Sequence, residues 1–136
     1  SKMCKDWGLD RLAQHFYEES IEEMKHAEEV IDRILFLGEV PAIARYHEIK
    51  VGRTPREHIE SSYELEKKGV ATYNEAVALA IDKKDAGSRA LMERMVVESE
   101  ESIDWAESQF DLIELVGLER YFAQQMNLGQ QMNAGE

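Results

Sequence analysis

Residues 18–30 read EESIEEMKHAEEV. At first sight this is solvated helix surface, but its spacing says more. On a helix, Leu12, Phe16, Glu23, Ala27, Val30 and Ile34 follow one another at steps of three, four or seven and share one stripe. Glu23 lies on that stripe and His26 beside it, so both are expected on a face that enters a helix bundle. A second stripe of Tyr17, Ile21, Met24, Ile31 and Leu35 lies about 100° around, because Met24 follows Glu23 by one residue. One helix with two apolar stripes faces two different things. The natural assignment is a bundle core on one side and a partner subunit on the other.

Working outward, this helix is predicted over 9–37 and ends at Gly38. Ahead of it, SKMCKDWG at 1–8 reads as the last turns of another helix, closed by Gly8. The chain opens on Ser rather than Met, which suggests processing, engineering or a fragment. Residues 38–53 carry Pro and Gly and no sustained period, so they form a long connection. TPRE at 54–57 is a start signal, with Thr54 as N-cap, Pro55 at N1 and Glu57 completing a capping box. Helices follow over 54–82, 88–116 and 118–126, and 127–136 is a polar tail. A helix of this length is roughly 43 Å long, and the connection can extend roughly 50 Å. It can therefore return the chain to its starting end. The first two long helices are then parallel and the last two, joined by a short turn, antiparallel. The fold expected is a single all-α domain, a four-helix bundle with most of its first helix absent. Without that helix, the other three would leave a long apolar groove open, which either an unseen helix or a rearranged assembly must cover.

The chain of 136 residues holds 28 Asp and Glu against 16 Lys and Arg, a net charge of −12. That argues against nucleic acid and anionic membrane as partners. Hydrophobic residues make up 43%, enough for a core, and no apolar run is long enough to span a bilayer. Cys4 is the only cysteine, which excludes an internal disulfide framework and fits a reducing compartment.

The second long helix has its stripe at Ile59, Ser62, Glu66, Val70, Tyr73, Val77 and Ala80. The third has Leu91, Met95, Ser99, Ser102, Ala106, Phe110 and Ile113, with Glu98 and Glu100 expected off it. Three helices thus place polar groups at mid-height on an inward face: Glu23 with His26, then Glu66, then Ser99 with Ser102. A buried carboxylate is costly unless paired or metal-bound. Carboxylates and imidazole from facing helices suit iron or manganese. A structural Glu–His hydrogen bond, Met24 as plain packing, and serines as small residues where helices approach are the competing readings.

Together, SIEEMKHAEEVIDRILFLGEVP at 20–41, YELEKKG at 63–69, SIDWAESQFDLIELVGL at 102–118 and RYFAQQM at 120–126 resemble bacterioferritin, the haem-containing branch of the ferritins. The resemblance covers nearly the whole chain. It implies a ferritin-like four-helix bundle with a long crossover and a short C-terminal helix, in cytoplasmic cages of twenty-four subunits that oxidise Fe(II) and store ferric mineral. On this resemblance Glu23 bridges two irons, His26 binds one of them, and Glu66 is the matching carboxylate. Met24 becomes the axial ligand of haem b, met by the same Met of a two-fold related subunit, with Tyr17, Ile21 and Ile31 lining the haem pocket and dimer interface. Glu18, Glu22 and Glu98 fall where the family has an inner-surface iron site.

Two departures stand out. Where the family has its second Glu-x-x-His, this chain has Ser99 and Ser102, so a carboxylate and an imidazole are both lost. The Glu that the family places on the first helix is absent as well. What remains, Glu23, His26 and Glu66, is about half of a di-iron site. The resemblance then implies a haem-bearing storage subunit that co-assembles with a sister subunit carrying the complete oxidising site. The alternatives are a ferroxidase with an altered or mononuclear iron centre, and a structural shell subunit.

Overall fold

A computed structural model describes residues 1–43 and 51–126. Among them are five α-helices, α1 (Lys2–Asp6), α2 (Asp10–Phe36), α3 (Pro55–Asp82), α4 (Ala86–Val116) and α5 (Leu118–Gln125), and no strand. Part of the 38–53 connection and the 127–136 tail lie outside the described residues.

The helix ends follow from local chemistry. Gly8 and Gly38 have φ of +73° and +86°, the left-handed region that favours glycine. At Gly38 the amide of Gly38 donates to Leu35 O at 3.0 Å and that of Glu39 to Ile34 O at 3.1 Å. The same pair of bonds recurs at Gly8, from Gly8 to Lys5 and from Leu9 to Cys4. Both are Schellman closures that satisfy carbonyls left over at a helix C-terminus. Thr54 caps α3, its hydroxyl accepting from the Glu57 amide at 3.2 Å. The Glu57 carboxylate takes the Arg53 amide at 2.8 Å rather than that of Thr54, so the reciprocal half of the box reaches one residue further back.

The start of α4 differs from the expected 88. Asp85 is its cap, accepting the Ser88 amide at 3.1 Å and the Ser88 hydroxyl at 2.5 Å, so the helix opens at Ala86. Those two Ser88 donors, with Arg33 adding to them, hold the Asp85 carboxyl below its usual range. Gly87 reads in sequence as part of a break, yet it is helical for another reason. A Cβ there would come within 2.8 Å of the Arg33 guanidinium, which bonds Asp85 and donates to Ser88 Oγ at 2.9 Å.

The chain forms two compact units, Ser1–Lys25 with Ser108–Glu136, and His26–Glu107. In the first, Cys4, Leu9, Leu12, Ala13, Phe16, Ile113 and Tyr121 are buried together as an apolar core. The Tyr121 hydroxyl donates to Gln109 Oε1 at 2.8 Å.

In the second unit the contacts fix helix direction. Tyr63 reaches Glu107 and Gly69 lies against Ser99, so α3 and α4 run antiparallel. His26 meets Glu98, Glu29 meets Arg94, and Arg33 meets Ser88, so α2 and α4 are antiparallel too. It follows that α2 and α3 are parallel, the direction that a long returning connection requires. Its buried side chains among the described residues are Ile59, Ala80, Met95, Ser99 and Ala106.

Candidate functional site

The outward stripe of α2 is exposed where it was expected to be. Tyr17, Met24 and Leu35 are 54%, 55% and 54% accessible, while Ile21 and Ile31 are half-buried. Met24 therefore presents its thioether on an open helix face. Glu18 and Glu22 are also exposed, and Glu18 accepts a hydrogen bond from Gln14 at 2.6 Å.

The inward stripe of α2 is less uniform than its periodicity suggests. Leu12 and Phe16 are buried, and Val30 and Ile34 half-buried, but Glu23 and Ala27 are exposed. Burial on α2 is deep only near its start, where the first unit's apolar core surrounds it. The stripes of α3 and α4 behave as expected, with Glu66 and Ser102 half-buried and Ser99 buried. A Cβ placed on Gly69 would lie 3.8 Å from Ser99 Oγ, so these two small residues mark where α3 and α4 come close.

Glu98 lies off the stripe that meets α3, as expected, and its Oε2 sits 2.7 Å from Nε2 of the half-buried His26. The approach lacks hydrogen-bond alignment, and among the described residues Oε2 accepts no hydrogen bond although it is shielded from water. The contact is therefore one of charge attraction when the imidazole is protonated. On the other oxygen, Arg94 donates to Glu98 Oε1 at 3.2 Å, and the same guanidinium pairs with Glu29. The physical reason is that α4 has two contact faces. Ser99 and its stripe meet α3, while Glu98 and Arg94, about one residue's rotation away, meet α2.

This arrangement brings His26 and Glu98 together, with Arg94 next to them. Among the described residues no group of three or more His, Cys, Asp or Glu side chains is placed to hold a metal ion. Ser99 and Ser102, on the stripe of α4, offer neutral hydroxyls, which are poor ligands for iron. No described helix is long and apolar enough to cross a membrane.

Residues 1–116 match the model of the ferritin-like domain family. The chain is 37% identical to bacterioferritin of Mycobacterium avium over 124 residues, which cover 91% of this chain and 78% of that protein. This chain belongs to the bacterioferritin family. A bacterial ferritin of Synechocystis sp. is 36% identical over 128 residues, covering 93% of this chain and 82% of its own. Among solved structures, Mycobacterium tuberculosis bacterioferritin, BfrA, superposes with a TM-score of 0.90 at 36% identity, covering 93% of this chain and 79% of that one. The four-helix-bundle fold of the bacterioferritin family is thus shown, and with it an iron-binding subunit of the iron-storage class.

Proposed function

We propose that this chain is a haem-bearing subunit of a cytoplasmic bacterioferritin cage, with an incomplete di-iron centre of its own. The observation that carries the reading is the contrast between Met24, open on the apolar outer face of α2, and the serines at mid-height on α4. A neutral thioether on an exposed face is available to a group shared with a two-fold related copy, so the residues present fit haem b. Bound there between two methionines, haem would supply an electron-transfer centre of raised potential. Tyr17, Ile21 and Ile31, on the same face, would line its pocket and the dimer interface.

The donor set does not fit a two-metal centre. Oxidation of Fe(II) at paired irons needs bridging carboxylates that balance four positive charges. Glu23 is exposed, Glu66 stands half-buried on α3, and His26 lies beside Glu98. Ser99 and Ser102 add no charge. A sister subunit with the full ligand set would then supply the oxidation within a mixed cage of twenty-four. Glu18 and Glu22 are left as inner-surface iron ligands, since Glu98 is occupied by Arg94 and His26.

The test is the absorption spectrum of purified protein and of Met24→Leu. A Soret band in the first that is lost in the second supports the reading. No Soret band that depends on Met24 eliminates it and leaves a structural shell subunit. Co-purification of a second, His-containing subunit from the native source tests the division of labour.

A further inference from the structure

We propose that Arg94 closes the His26 position to divalent metal ions. Glu29, Arg94, Glu98 and His26 form one chain between α2 and α4, in which acid and base alternate. An ion bound to Nε2 of His26 would meet Glu98 first, because that carboxylate already stands 2.7 Å away. The ion would then share the carboxylate with a guanidinium, which stays protonated at every working pH. Two cations would then crowd on Glu98, and although Glu29 also pairs with Arg94 from its far side, Ser99 and Ser102 add no anion beside His26. Arg94 thus gives Glu29 and Glu98 the positive charge that a metal would otherwise provide. It does so permanently, so α2 and α4 pair in mid-helix without metal. This rests on the reading that the di-iron centre is incomplete and extends it: the remaining half is sealed as well as short of ligands.

The experiment uses crystals of the full assembled protein soaked in graded Zn(II), with anomalous scattering recorded at the zinc edge. The wild type is expected to show no peak within bonding distance of His26 Nε2, whatever binds at exposed Glu18 and Glu22. In Arg94→Gln a peak there should appear at a concentration lower by about tenfold or more, the scale of removing a nearby unit charge. His26→Gln added to that variant should erase it. Arg94→Lys keeps the charge and should stay silent, and since Arg94 is 44% exposed neither replacement removes core packing. A zinc peak on His26 in the wild type or in Arg94→Lys overturns the proposal. So does a bare His26 in Arg94→Gln at every concentration. Either result leaves the Met24-dependent Soret band as it was, so failure here is separable from failure of the haem reading.

Discussion

The two units of this chain solve the problem of a helix interior in opposite ways. In the first, Cys4, Leu9, Leu12, Phe16, Ile113 and Tyr121 are buried among one another, and the single polar tip, the Tyr121 hydroxyl, finds Gln109. In the second, the middle of α2 meets α4 through His26, Glu29, Arg94 and Glu98, while α3 meets α4 across Gly69 and Ser99. Apolar burial stabilises the first. The second holds charges that cost desolvation and return little where water still reaches them. The mid-helix charges of the second unit should therefore tolerate change, whereas the first unit's core, like the second's buried Ile59 and Met95, should not.

Substitutions can break that comparison. Leu12→Ala, at a fully buried position, should cost about 3 kcal/mol in chemical denaturation, as deletion of a core leucine does. A cost as small as that of a surface change would mean that apolar burial does not stabilise the first unit. Arg33→Ala, which frees the charged contacts that tie α2 to the α3–α4 turn, should cost about 1.5 kcal/mol.

Tyr121→Phe gives up one hydrogen bond to Gln109 and should cost about 1 kcal/mol near neutral pH. It also changes the pH dependence. Burial, with a smaller contribution from Cys4, pushes the Tyr121 hydroxyl up to about 12. The folded value lies above the unfolded value of about 10. The stabilisation is therefore complete below pH ~10 and is lost as pH rises toward ~12. The wild type should lose more stability across that window than Tyr121→Phe, and the variant's tyrosinate absorbance should lack the highest-titrating component. Ser99→Ala should be the mildest change, within about 0.5 kcal/mol, since it removes a hydroxyl and keeps the small volume that faces Gly69.

Where the sequence was legible, the signals were local or periodic. Gly8 and Gly38 mark helix ends because their backbone needs a positive φ, and Thr54 marks a start because its hydroxyl caps an amide. The stripes of α3 and α4 are read correctly because every residue on them is buried or half-buried. What escaped was pairwise. That Glu98, off the α3-facing stripe as expected, meets His26 on α2 escaped because one stripe was assigned to α4, although the two-sided argument made for α2 applies equally to it. Gly87 was read as a break, whereas it makes room for a guanidinium 54 residues earlier in the chain. Asp85 three residues before Ser88 was an available cap signal. The identities of Ser99 and Ser102 were legible at once, but that Arg94 and Glu98 reach α2 beside them depends on how three helices are arranged.

The most direct measurement is aerobic Fe(II) oxidation by the homo-oligomer, recorded beside Glu23→Ala and a buffer blank. Equal rates in all three are expected, because Ser99 and Ser102 supply neither a carboxylate nor an imidazole and Glu23 is exposed. Oxidation clearly above the blank, and abolished in Glu23→Ala, would contradict the account and establish a working iron centre in this chain.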